Sequence, residues 1–487
     1  MLSPILIITI LVIYFSILIL IARITQGRGS HEAFFLGKRE SPWYIVAYGM
    51  IGATLSGVTF LSVPGMVKDG EFFYMQMVLG YVPGYLFVAY VLMPIYYNLK
   101  VYSIYEYLKH RFGYYSNKCG ASCFFLSRLL GASVRLYLVA LVLQELLFNQ
   151  LGIPFFITTL ITIILIWLYT YRGGIKTIIW TDTLQTTFML LTVFMCIIVL
   201  FQHLGYSSIA DSLNQNLNLR MFSFDDFNGF NHFIRSFFTG MFIAIAMTGL
   251  DQDMMQKNLS CINIYAAQKN MVLFSVVLVF VNILFLYLGS LLYEYAFNYN
   301  LDVQAGDYLF VQVVNSGGLG VFVFILFLLG LMSAAYSSAD SALTSLTTSF
   351  CIDFLEMNND KKSSYSLRRR IVVHLFISFL LFCMILLVNY LNTYSSIIDA
   401  LFAIAGYTYG PLLGLFMFGL FTKREVVDRY VPFIVLISPC ISFLISKYDA
   451  IIFNGFQFSH DLIIINGGIT YFLLYILSNQ KASHPTT

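Results

Sequence analysis

Residues 48–65 read YGMIGATLSGVTFLSVPG, and residues 244–255 read AIAMTGLDQDMM. Both sit in apolar stretches, and both break the pattern mid-span with small or polar residues. In lipid, a helix must satisfy its own backbone hydrogen bonds. An interrupted span is tolerated only where protein or a water-filled cavity lies against the break. Paired interruptions in two halves of a chain point to a transporter of inverted repeats with its site at the breaks. Gly and Ser also let helices pack closely, so the interruptions alone leave both readings open.

The surrounding chain is built for a bilayer. Of its 487 residues, 59% are hydrophobic and only 10% charged, with mean hydropathy +0.80. A soluble chain carries about 25% charged residues, so a polytopic membrane protein is expected. Thirteen apolar segments fall near 3–24, 43–67, 72–98, 122–149, 154–171, 177–201, 233–252, 270–293, 318–352, 371–390, 396–421, 430–446 and 462–478. No long polar block separates them, so residues 1–487 are expected to form one integral domain. The first segment has neither a basic n-region nor a cleavage site and reads as a retained helix. The seven Cys are scattered without a CxxC pair and read as packing residues.

Basic residues crowd alternate connections. Arg23, Arg28, Lys38 and Arg39 stand in the first, Lys100, Lys109, Arg111, Lys118 and Arg128 around the third, and Lys361, Lys362, Arg368, Arg369 and Arg370 in the ninth. By the positive-inside rule the N-terminus is expected outside and the C-terminus in the cytoplasm.

Residues 330–350, GLMSAAYSSADSALTSLTTSF, continue an apolar run with repeated hydroxyls. On a helix, Ala334, Ser337, Ser338, Ser341 and Ser345 share one stripe about 100° wide, and Asp340 lies off it. A hydroxyl stripe bonds across a helix pair or offers oxygens to a hard cation. Carbonyls from an unwound helix would complete a cation site, and GATLSG at 52–57 could supply them.

Five intramembrane charges need partners. Asp182, in a D-x-x-Q pattern, is either a helix N-cap or a cation or proton site. Arg135 lies seven residues past Arg128 on one face. It either snorkels or pairs with a protein acid, or it receives a carboxylate bidentately. Asp251, Asp253 and Asp340 lie toward the basic ends of their helices, where a solvated role or a gate with Lys or Arg is expected. No Walker motif and no catalytic Ser/His/Asp or Cys/His grouping is present, so neither an enzyme nor an ATP-driven pump is expected. Nothing points to a cofactor or a nucleic-acid partner.

Four stretches together resemble the sodium:solute symporter family, which includes sodium/galactose, proline and sialic acid symporters. They are GATLSGVTFLSVPG (52–65), GGIKTIIWTDTLQ (173–185), DQDMMQKNLS (251–260) and SAAYSSADSALTS (333–345), followed by GYTYGPLLGLF (406–416). The resemblance implies an all-α leucine-transporter (LeuT) fold. An extra helix at 3–24 would precede inverted five-helix repeats at 43–201 and 233–421, with two further helices at 430–478. It implies sodium held by the carbonyls of Gly52, Leu55 and Ala334 and the hydroxyls of Ser337 and Ser338. Asp182 would serve a second cation site or coupling. Substrate contacts are expected at Ser56, Thr59, Arg135 and Gln252, with gating at Asp251 and Asp253.

Departures bear on the solute. Lys257 replaces the family arginine of D-Q-x-x-x-Q-R. Asp253 replaces the gating tyrosine of the galactose symporter, Thr59 replaces its sugar-binding glutamine, and Thr54 replaces an aspartate of the proline symporter. The expected function is sodium-coupled import of a small organic solute, with Arg135 favouring a monocarboxylate or sialic acid. A proton-coupled carrier, a channel and a transporter-like sensor are the alternatives. The expected location is the plasma (inner) membrane of a bacterium, and the oligomeric state is left open.

Overall fold

A computed structural model describes residues 4–25, 31–67, 71–214, 219–225, 228–304, 306–357, 364–391 and 397–479. Lys361 and Lys362 of the expected basic cluster lie outside them. The chain is helical where the sequence is apolar. The membrane helices are α1 (Ile5–Thr25), the bent pair α2 (Trp43–Thr54) and α3 (Gly57–Gly65), α4 (Tyr74–Leu99), α5 (Tyr114–Leu151), α6 (Phe155–Tyr171) and α7 (Gly173–Leu204). A second bent pair follows, α8 (Phe233–Gly249) and α9 (Gln252–Leu259). Then come α10 (Ile264–Asn298), α11 (Gly320–Phe354), α12 (Leu367–Leu391), α13 (Asp399–Phe421), α14 (Asp428–Ile452) and α15 (Leu462–Ile476).

The two bent pairs are the interrupted segments. The α2–α3 pair turns by 60° and the α8–α9 pair by 65°. In the first, the amide of Ser56 bonds the Thr54 carbonyl at 2.9 Å instead of reaching back to Gly52. The next ladder starts with Phe60 on the Ser56 carbonyl at 3.0 Å. The carbonyls of Gly52 and Leu55 therefore fall between two hydrogen-bond ladders. In the second pair, the Asp251 carboxylate caps α9 by accepting the amides of Asp253 (2.8 Å) and Met254 (3.3 Å).

Segments 154–171 and 177–201, expected to be separate helices, form α6 and α7, which meet directly at a kink at Gly174 (φ 58°, ψ −153°). That φ suits glycine, and a Cβ there would overlap the Phe34 backbone. Asp182 lies well inside α7, past this kink. It is therefore not an N-cap.

The core of the bundle is the α6–α7 run against α11, and α8 against α4. The latter contact is close because a Cβ on Gly80 would overlap the Phe237 carbonyl and one on Gly240 the Met77 carbonyl. Small residues replace the hydrophobic driving force that lipid cannot supply. A two-residue ribbon, Glu425–Val426 with Ser478–Asn479, ties the chain after α15 back to the end of α13.

Candidate functional site

The break in α2–α3 lies against the hydroxyl helix. Gly57 opens α3, where an added Cβ would overlap the Val139 side chain and lie 3.8 Å from the Ala335 amide nitrogen. On α11, Ala334, Ser337, Ser338, Ser341 and Ser345 are all buried, as are Gly52 and Leu55. The expected sodium ligands thus come from two helices in contact at one level. Two unladdered carbonyls and two neutral hydroxyls form a donor set suited to a hard monovalent cation. Among the described residues the buried Thr54 Oγ1 at the same break has no hydrogen-bond partner.

Behind this set lies an ion pair. Lys257 Nζ meets Asp182 Oδ2 at 2.8 Å, and both side chains are buried. Ser337 Oγ donates to the other oxygen, Asp182 Oδ1, at 2.6 Å. A hydroxyl that donates its proton to a carboxylate keeps its lone pairs for a cation, and the carboxylate makes those lone pairs more basic. Asp182 thus fixes the Ser337 hydroxyl while Lys257 balances its charge. In the sequence Lys257 stands out only as a departure from the family motif. Its pairing depends on a contact across 75 positions of chain.

Next to the break is a cavity of about 120 Å³. Ser56 and Thr59 line it, as do Leu55, Arg128, Arg135, Tyr74, Tyr81, Thr248 and Asn282. Arg135 is half-buried in this wall rather than snorkelling, and its Nη1 lies 3.4 Å from Ser338 Oγ. A cationic group in the solute cavity thus touches a hydroxyl of the sodium set.

Arg128 closes one side of the cavity. Its guanidinium bonds Asp253 and lies 3.7 Å from Asp251, which also accepts the hydroxyl of Tyr409. All four side chains are buried. The gate role expected for Asp251 and Asp253 has this pairing as its physical basis. Tyr409 gave no signal of its own beyond lying in the family-like GYTYGPLLGLF stretch.

Two residues stand elsewhere. Gln252, expected near the solute, spends its amide on the α4–α5 connection. It accepts from the Ile104 amide and donates to the Tyr102 carbonyl, both at 2.9 Å. Asp340, expected to be solvated or in a gate, is fully buried and accepts the Tyr169 hydroxyl at 2.9 Å. Its helix is enclosed by α6 and α7, so its end is not the wet end that position alone suggested.

Among the described residues no cluster of three or more His, Cys, Asp or Glu could hold a metal ion. The comparisons fit this architecture. The sodium:solute symporter family profile matches residues 34–427. The sodium/sialic acid symporter NanT of Aliivibrio fischeri is 26% identical over 412 residues, covering 81% of this chain and 78% of that one. The sodium/sialic acid symporter SiaT of Proteus mirabilis is 24% identical, covering 86% and 84%. A Na+-coupled sialic acid symporter, solved in a substrate-bound outward-open state, superposes with TM-score 0.77 at 19% identity. The superposition covers 98% of this chain and 99% of that one. The fold is therefore the leucine-transporter type, and the chain belongs to the sodium:solute symporter family, as a sodium-coupled, multi-pass membrane symporter.

Proposed function

We propose that this symporter imports a small organic carboxylate by alternating access, and that its work is transport rather than catalysis. The observation that carries the reading is Arg135, half-buried in the cavity wall and in contact with Ser338. Sodium held by Ser337, Ser338 and the carbonyls of Gly52, Leu55 and Ala334 would lie close to the guanidinium, and like charges repel strongly in a low-dielectric site. A carboxylate on Arg135 removes that repulsion. Each ligand then favours binding of the other, which is the reciprocal coupling a symporter needs. Ser56 and Thr59 offer hydroxyls to the solute from the broken helix.

The cavity volume, about 120 Å³, is below the roughly 300–1,000 Å³ of clefts for drug-sized ligands. A short-chain acid suits it better than a bulky one. The relatives named for sialic acid also carry an acid. With Arg128 paired to Asp251 and Asp253, the cavity is shut on that side. Release of the solute requires that pairing to open. The alternation of basic connections supports an outside N-terminus, a cytoplasmic C-terminus and a bacterial plasma (inner) membrane.

The test is a thermal-stability screen of purified protein with solutes of several classes, in sodium and in potassium, because a ligand of the native state raises apparent stability. Stabilisation by carboxylates in sodium alone is expected, and it should be lost in Arg135→Gln. A neutral solute that stabilises wild type and Arg135→Gln equally would overturn the carboxylate reading.

A further inference from the structure

Asn282 stands on α10, in a stretch that is otherwise apolar (VFVNILFLYL, 279–288). It lines the central cavity and is only 2% exposed. Its Nδ2 donates to the Leu278 carbonyl one turn back, at 2.8 Å. That bond turns the nitrogen side of the amide onto its own helix and leaves the oxygen as the group available to the cavity. Among the described residues the oxygen accepts no hydrogen bond. It is an acceptor in search of a donor.

Two kinds of solute donor could meet it, an ammonium or a hydroxyl. An ammonium in a buried cavity needs an anionic partner. Among the described residues no Asp or Glu lines this cavity, and the two charged side chains that do, Arg128 and Arg135, are cationic. A neutral hydroxyl is the donor that fits. We propose that Asn282 is the specificity-determining acceptor for a solute hydroxyl, so that the transported class is a short hydroxylated carboxylate. Arg135 takes the carboxylate and Asn282 the hydroxyl. This rests on the carboxylate reading above and adds the second anchor of the same solute. A site that has committed a buried acceptor discriminates against an analogue without the donor, because the acceptor is then left unpaired.

The experiment compares matched acids that differ by one hydroxyl: lactate with propionate, and 3-hydroxybutyrate with butyrate. Binding is read from the concentration dependence of the thermal shift of the purified full chain in sodium. Wild type should bind the hydroxylated member about tenfold or more tightly. In Asn282→Leu that ratio should fall to within about threefold, because the plain acid no longer leaves an acceptor unpaired and the hydroxylated acid loses its partner. Stabilisation by sodium alone shows that the variant is folded, and Asn282→Ala serves as a second variant of smaller volume. A ratio near one in wild type, or a preference kept in both variants, overturns the assignment of Asn282 and leaves the carboxylate reading standing. If sodium stabilises the protein and no carboxylate adds to it, the carboxylate reading falls and this inference with it.

Discussion

The two bent helix pairs share a backbone design and divide the chemistry. Each is bent by about the same angle, 60° in α2–α3 and 65° in α8–α9. The first break carries no ionisable side chain. It offers carbonyls, with Thr54 and Ser56 beside them. The second carries Asp251, Asp253 and Lys257 within seven positions, each paired with a charge on another helix. Backbone dipoles suit an ion that must bind and leave, because they stabilise charge without holding a counter-charge. Ion pairs suit a gate, because they are strong when dry and weaken when water enters. The proposed ion site thus lies at the uncharged break and the proposed gate at the charged one.

The sharpest way to break this contrast is to remove one partner of a buried pair. Lys257→Met leaves Asp182 uncompensated and should destabilise the protein by about 3–5 kcal/mol, read as a fall in detergent unfolding temperature. Asp182→Asn combined with Lys257→Met should regain most of that loss. A double variant no more stable than the single one would show that the pair is not the cause. Second in size, Gly52→Ala places a methyl on Thr186 at the carbonyl break and should cost about 1–3 kcal/mol through overpacking. Thr186→Ser in the same chain keeps the hydroxyl that clashes and should not relieve it, whereas Gly52→Ala with Thr186→Ala should. Third, Ser338→Ala should raise the sodium concentration for half-maximal uptake about tenfold, as expected for one lost ligand worth about 1.4 kcal/mol, with little change in unfolding temperature. Unchanged sodium activation would remove Ser338 from the ion site. The smallest effect is expected at the far end of α8, where Arg235 meets Asp461 at 2.8 Å. Asp461→Asn leaves Arg235 its carbonyl contacts with Asn228 and Gln457 and should cost about 1 kcal/mol or less, measured in the same unfolding assay.

Much of this was legible in the chain because membrane spans are long, apolar and internally bonded. The two breaks could be read from GATLSG and AIAMTGLDQ, since only small or polar residues mark a place where a span can unwind. That α6 and α7 meet at a kink with no loop between them was not readable, because a glycine kink and a glycine loop look alike in sequence. The hydroxyl stripe on α11 followed from helical period, but its neighbours did not. Which charge answers Asp182, and that Gln252 turns to the Tyr102 and Ile104 backbone, are contacts between distant segments that no local pattern encodes. Asp340 misled for the same reason: depth along one helix says little about what encloses it.

Lys257 has a further consequence, for current rather than structure. Its ammonium stays with the protein through every cycle, so Asp182 is neutralised without borrowing an ion from the medium. The charge moved per turnover is then set by the passengers alone. One sodium carried with one carboxylate anion is electrically silent, and each additional sodium contributes one elementary charge, worth about 2.3 kcal/mol per 100 mV of membrane potential. The current recorded across a membrane per solute taken up therefore counts the sodium ions in excess of the solute's own charge.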